Sequence, residues 1–472
     1  MIRPARLSGL ARPPERTYPE RKPTMNNSAH THPDALTFEP PSGPVVGYVR
    51  GPVVKATGIP YAEAERFQPP VAFPDWTTPF VADTPAPASP QLAMTAMDSI
   101  VGDSTGGLPQ DERCQNLSIT MPLDRPEGGL LPVMVWIHGG AYAVGAGDAA
   151  LYDPTSLVAE QQVIVVSVTY RLGILGYLGG ADHAANLGLL DQLTALEWVQ
   201  RNISAFGGDP QRVTLFGQSA GGDAVAHLMA TPNAERLFAR AIMQSPPLGI
   251  SRGRTKMSGA MALAGSSVGP DTEIAQVIEA QPAVAAAGAA FGLHGMMAFG
   301  TQYGYAPLPS ESEVDAAWSR VASGVDILIG NTSQETRLFI DVVPALRTLA
   351  KVPVIGGPAT SFVSWLITRK VYASAIGAFA QRHGRAGGRA YRYEFTWAPK
   401  RNALGSAHAI ELALLFGDRQ TWEGIEILRG ASWEEIDSHG REMRQLWADF
   451  ARGVVLPDRG GIPGVLTYAR AR

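Results

Sequence analysis

Cysteine is nearly absent: Cys114 is the only one in 472 residues. No intrachain disulfide can form, which excludes a crosslinked scaffold and points to a reducing, cytoplasmic setting. Cys114 itself reads as a small buried residue rather than a catalytic thiol. Charge is also sparse, at 17% of residues with a formal net charge of −4. There is no basic field to hold nucleic acid. Long apolar runs are missing too. Val163 to Val168 is too short to span a bilayer and is soon followed by Arg171, while Ala283 to Phe299 is Ala/Gly-rich and holds His294. No membrane partner is expected. The patterns G-x-x-x-x-G-K-[ST], H-E-x-x-H and G-x-G-x-x-G do not occur, so no cofactor and no metal are expected.

What the chain has in quantity is apolar surface. Hydrophobic residues make up 45%, enough for a large core, and 51 glycines with 37 prolines imply many turns and long loops. The first 37 residues differ from the rest. Arg3, Arg6, Arg12, Arg16, Arg21 and Lys22 lie among prolines without an apolar h-region, so this is not a secretory signal. The composition reads as a disordered extension, with Met25 as an alternative first residue. Residues 38–472 show no internal repeat and no linker and read as one catalytic domain.

Within that domain, the spacing predicts a β-hairpin over Val45 to Val54 and strands at Leu117 to Met121, Pro132 to Ile137 and Val163 to Val168. A turn at Arg125 to Gly129 joins the first two of those strands. Apolar runs without alternation suit a sheet covered on both faces. Leu193, Leu196, Val199 and Ile203 share one stripe of a helix from Leu189 to Ile203. Further strands are expected at Ala241 to Gln244, Val325 to Ile329 and Ala390 to Trp397. The stretch from about Ser251 to Ser323 should lie outside the sheet as a cap or pocket wall.

The stretch that organises these elements is Val213-Thr214-Leu215-Phe216-Gly217-Gln218-Ser219-Ala220-Gly221-Gly222. Four β-prone residues run into G-x-S-x-G, and Val225, Leu228 and Met229 follow at helical spacing. Strand, sharp turn and helix make a nucleophile elbow, with Ser219 exposed at the strand end. The pattern occurs again at Gly265 to Gly269, but the Ala-rich run before it reads as helix, so Ser267 belongs to a glycine-capped helix end.

A serine hydroxyl needs a base, and the base needs an orienting carboxylate. In this fold the chain order is Ser, then Asp or Glu, then His. Glu335 lies in the loop after the strand Val325 to Ile329, where the acid belongs. Asp326 at the strand start and Asp341 past the loop are weaker competitors. Three histidines follow: His383, His408 and His439. The first and last read as surface; His408 sits in a loop that opens a helix from Ile410 to Phe416 and is the expected base. Backbone donors for the oxyanion are expected at Gly140, Ala141 and Ala220, with His138 a structural support for the Gly139-Gly140 loop.

These residues resemble the type-B carboxylesterases, a carboxylesterase/cholinesterase group of the α/β-hydrolase fold, and in character the bacterial para-nitrobenzyl-esterase-like members. The resemblance runs from about residue 43 to the C-terminus. It rests on Gly58-Ile59-Pro60-Tyr61-Ala62, Trp136-Ile137-His138-Gly139-Gly140, Tyr170-Arg171-Leu172-Gly173, Asn186 to Gln192, Phe206-Gly207-Gly208-Asp209-Pro210 and Phe216 to Gly222. It implies an α/β architecture with a large, mostly parallel sheet flanked by helices. It implies a Ser-His-Glu triad of Ser219, His408 and Glu335, acting on small-molecule esters. Carbamates, aryl amides and a non-catalytic binding role are the alternatives. The sequence departs from the family pattern at Gln218, where glutamate is common, and at Ala141, where a third glycine is common. The family would also lead one to expect a further short strand or tail after Tyr468.

Overall fold

The computed structural model describes residues 35–125, 129–180, 183–340, 343–352 and 355–472. Asp341 and the centre of the turn expected at 125–129 lie outside the described residues, as does the N-terminal stretch up to residue 34. The described residues form one compact unit. Its first strand, β1 (Ala35–Phe38), begins three residues before the expected domain start and pairs antiparallel with β2 (Val45–Arg50).

A thirteen-stranded sheet forms the frame. After β1 and β2 come β3 (Val53–Pro60), β4 (Asn116–Pro122), β5 (Leu131–Ile137), β6 (Ile164–Val168) and β7 (Gly208–Gln218). β8 (Arg240–Gln244), β9 (Asp326–Thr332), β10 (Ala390–Phe395), β11 (Arg459–Ile462) and β12 (Leu466–Arg470) complete the path. The spatial order is β1-β2-β3-β4-β6-β5-β7-β8-β9-β10-β12-β11, and the short strand Phe80–Val81 pairs with β2. The strands from β6 through β10 run parallel, while both edges are antiparallel. The sheet is large and mixed: the parallel strands that the family resemblance implied form its centre, and the rest of the pairing along its path is antiparallel.

The central strands show why the sequence lacks alternation. All residues of β5 and β6 are buried. Val133, Val135 and Ile137 face one core with Val166 and Leu215, while Met134 and Trp136 face a second core with Val165, Phe216 and Ile242. A strand apolar on both faces needs cover on both. On one side α1 (Leu187–Asn202) packs Leu196 and Val199 inward, as its periodicity predicts. It is anchored by a buried ion pair: Arg171 donates to both Asp191 oxygens, at 2.8 and 2.7 Å. The motif Tyr170-Arg171 and the helix start near Asn186 therefore meet through a bidentate contact that sequence separation hides.

Between Ser251 and Ser323 there is no strand; the helices Thr255–Ala264, Ile274–Ala289 and Val314–Val321 pack there against the first core. The C-terminal segment is a hairpin, β11 to β12, that pairs with β10. Tyr468 lies in β12, the last strand in chain order. Among the described residues no helix is long and apolar enough to cross a membrane.

Candidate active site

β7 ends at Gln218, and α2 (Ala220–Leu228) begins immediately. Ser219 alone makes the turn, at φ 58° and ψ −124°. A non-glycine residue at positive φ stores strain of roughly 1–3 kcal/mol. The turn is held by Ser219 N–H donating to Gln244 O at 2.8 Å and Asp223 N–H donating to Ser219 O at 2.9 Å. Gly221 permits the crossing, since a Cβ there would stand 2.1 Å from the Ile137 carbonyl oxygen. Ser267 has no such frame. It follows the helix Thr255–Ala264, and Gly265 caps that helix at φ −91°, not in the left-handed form expected of a glycine cap.

The loop after β5 lies against this elbow. A Cβ on Gly139 would meet Gln218 O at 2.8 Å and the Ser219 Cβ at 3.2 Å, so only glycine fits. Gly140, Ala141 and Tyr142 then adopt φ of 108°, 54° and 58° in succession. Ala143 and Val144 N–H groups bond back to Gly140 O. The N–H groups of Gly140, Ala141 and Ala220 donate to no protein acceptor among the described residues. Tyr142 fastens the loop to the elbow helix: its hydroxyl donates to Asp223 Oδ2 at 2.7 Å. Burial alone would push the Asp223 carboxyl up, but His227, Ser251 and Tyr142 hold it below the usual range. Asp223 thus ties the two halves of the site together, a role no sequence motif announced.

His138 is fully buried, its ring 4.4 Å from that of Tyr170, and its Nδ1 lies 2.8 Å from Gly139 O. Burial pulls its pKa down to about 4. A neutral imidazole stacked under the loop is a support, as its place in the chain order suggested.

Glu335 and His408 meet beyond the ends of β9 and β10. His408 Nδ1 lies 2.5 Å from Glu335 Oε2, and Thr332 N–H donates to the other oxygen at 2.7 Å. Both residues are buried. Burial would lower the His408 pKa; the charge and hydrogen bond of Glu335, with Glu411 behind it, outweigh that and raise it. The imidazole packs between the rings of Phe339 and Tyr372, at centroid distances of 5.6 and 5.5 Å. The opposite nitrogen, Nε2, lies 3.2 Å from the Gln218 side-chain amide. Gln218 is the neighbour of Ser219, so the imidazole edge faces the elbow.

The competing residues lie elsewhere. Asp326 sits at the start of β9, 3.3 Å from Arg389. His439 is partly exposed on the helix Trp433–Arg452, beside Glu435. His383, expected at the surface, is instead buried. Its Nε2 bonds to Val325 O at 2.8 Å, and burial pulls its pKa down to about 4. The Gly/Arg-rich sequence around it concealed this because the helix Ser374–Arg385 turns that face onto the sheet. Cys114 is buried, and burial pushes its thiol well up.

One further ionisable group lies close by. Glu411 starts the helix Glu411–Phe416, three residues after His408, and is buried with neither carboxyl oxygen well hydrogen-bonded. Burial, then the negative Glu335, push its pKa up to about 7. Among the described residues no group of three or more His, Cys, Asp or Glu is arranged to hold a metal ion.

The chain has relatives among known proteins. The family model described as "Carboxylesterase family" matches residues 39–352. A Rhodococcus erythropolis protein named "Probable N-octanoylanthranilate hydrolase" is 37% identical over 88% of this chain and 92% of its own length. The para-nitrobenzyl esterase of Bacillus subtilis is 34% identical over 87% and 88%. A solved thermophilic para-nitrobenzyl esterase superposes with a TM-score of 0.72 at 29% identity, covering 88% of this chain and 91% of that one. The chain belongs to the carboxylesterase family, has the α/β-hydrolase fold, and is a carboxylic ester hydrolase.

Proposed function

We propose that ester hydrolysis runs through an acyl-enzyme on Ser219, with His408 as general base and Glu335 as its orienting acid. The observation that carries this reading is the 2.5 Å contact between His408 Nδ1 and Glu335 Oε2, with the imidazole's other edge turned to the elbow. Glu335 holds the proton on Nδ1, so the lone pair lies on Nε2, where it would take the serine proton in place of its contact with the Gln218 amide. The serine oxygen attacks the ester carbonyl, and the C–O bond to the alcohol breaks as His408 returns the proton to the leaving oxygen. Water then repeats the sequence on the acyl-enzyme and releases the acid. The N–H groups of Gly140, Ala141 and Ala220 would receive the oxyanion in both tetrahedral states.

Substrates are small-molecule esters, uncharged or weakly charged, and a cytoplasmic setting suits a chain with one buried cysteine. A second reading is amide hydrolysis on the same site. It is favoured by the Rhodococcus relative, whose name describes an N-acyl substrate. The experiment is a phosphonofluoridate probe followed by peptide mass analysis, together with rates on matched nitrophenyl esters and anilides. Labelling on the Ser219 peptide with ester turnover is expected. Labelling on Ser267, or activity surviving Ser219→Ala, overturns the assignment.

A further inference from the structure

From Val342 to Tyr393 the sequence holds eight lysines and arginines and no aspartate or glutamate. Two of those cations, Arg382 and Arg389, are ion-paired to Asp315 and Asp326. Arg369 and Arg392 are not: among the described residues neither side chain makes an ion pair or a hydrogen bond, although the Arg369 guanidinium stands over the Trp365 ring. Both line one cleft of about 540 Å³ at the C-terminal ends of β9 and β10. The only carboxylate in its wall is the exposed Glu394, so the cleft carries a net positive charge. Asn331, 1% exposed, also lines it and has a side-chain oxygen with no donor.

The rim of the cleft is aromatic. Trp365, 51% exposed on the helix Gly356–Thr368, stacks on Phe362, itself 59% exposed, at 6.0 Å between centroids and 25° between planes. The Arg369 guanidinium stands 5.6 Å over the Trp365 ring. An unpaired guanidinium fork recognises a carboxylate, and an exposed indole face recognises a flat apolar body. We propose that this cleft is a second binding site that takes an aryl carboxylate, the class of acid released by hydrolysis of an aryl ester. It rests on the ester-hydrolase assignment only for the source of the acid.

The cleft shares a wall with the triad residues. Arg369 and Ala373 line it from the π-helical turn Arg369–Ala373, while Tyr372 in the same turn packs its ring 5.5 Å from that of His408. Thr368, also in the cleft wall, bonds Thr336, the neighbour of Glu335, at 2.9 Å. A carboxylate held by Arg369 therefore acts on the turn that packs against the base. The product acid would change turnover without competing with substrate.

Benzoate is the probe, titrated by calorimetry into the full chain, with neutral benzyl alcohol as the comparison. Arg392→Met and Arg369→Gln should each weaken benzoate binding at least about tenfold, the loss of one charge-assisted contact. Benzoate should also inhibit ester turnover with a noncompetitive component that both variants lose. Should Arg392→Met lower the melting temperature by many degrees, the exposed Arg369→Gln decides. Absent benzoate binding, or affinity unchanged in the variants with purely competitive inhibition, overturns the site, the latter placing benzoate in the catalytic pocket. Equal affinity for benzyl alcohol overturns it too, leaving only an apolar shelf. A chain that binds benzoate in this way but turns over no ester would separate failure of the catalytic reading from failure of this one.

Discussion

Gln218 and His408 lie 190 residues apart in the chain, yet the Gln218 amide nitrogen stands 3.2 Å from His408 Nε2. That nitrogen is the one the proposed mechanism needs for the serine proton. Gln218 is therefore a neutral group at the position where charge would matter most. Gln218→Glu should bring a carboxylate to the imidazole and raise its pKa further. The acidic limb of the kcat/KM profile should then move to higher pH. An unmoved limb would mean that the side chain turns away from His408 in solution.

Glu335→Gln keeps the shape but removes the charge and the correct partner for Nδ1–H. Turnover should fall on the order of 10⁴-fold, as loss of an orienting acid does elsewhere, while the fold survives. The base must be neutral to act, so wild-type activity should decline as pH falls through a His408 pKa above the ordinary 6.5. In the residual activity of Glu335→Gln that limb should lie at lower pH, because the group that raises the histidine pKa is gone. Rates measured from mildly acidic to mildly basic buffer test both points.

Glu411 makes an opposite pair of predictions for rate and stability. Its carboxyl is pushed up to about 7, so the folded state favours the protonated form. The stability this contributes is fully present below the ordinary glutamate pKa and is lost as pH rises through about 7. Glu411→Gln should remove that loss, worth at most about 3 kcal/mol for a shift of this size. The variant should gain in melting temperature relative to wild type in basic buffer and not in acidic buffer. Its His408 limb should also move to lower pH, since a nearby negative charge has been removed. A stability difference between the two proteins that is the same at every pH would show that folding does not shift the Glu411 pKa.

Ala141 sits at φ 54°, where a Cβ is strained by roughly 1–2 kcal/mol. From the sequence, Ala141→Gly is expected to cost roughly 0.5–1 kcal/mol through the entropy of the unfolded chain. The left-handed backbone opposes that cost, so the substitution should be near neutral or slightly stabilising. The family resemblance implies that a G-G-[GA]-x loop leaves room for tertiary alcohols. The ratio of rates on tert-butyl and n-butyl acetate should then hold or rise in Ala141→Gly. No detectable tert-butyl hydrolysis in either form would assign alcohol size to other walls of the pocket.

Much of this was legible in the sequence, for local reasons. The unalternating runs at Leu131–Ile137 and Ile164–Val168 demand cover on both faces, and that demand places them in the middle of a covered sheet. Glycines at 139, 217 and 221 mark places where backbone passes backbone, so the elbow and its facing loop could be read from residue type and spacing alone. Chain order then narrowed the acid and base to Glu335 and His408. What the sequence could not decide depends on packing between distant segments. Burial is one such property: His383 lies in a polar, Gly/Arg-rich run, and only the docking of its helix against the sheet hides it. The protonation of Glu411 is another, because it depends first on burial and then on Glu335, 76 positions earlier, lying within Coulombic reach. The Arg171–Asp191 pair, the Tyr142–Asp223 bond and the unpaired Arg369 and Arg392 likewise arise where separate elements converge. Local spacing determines which turns and strands can form; desolvation and charge at a point are sums over everything folded around it, and only the tertiary structure sets those.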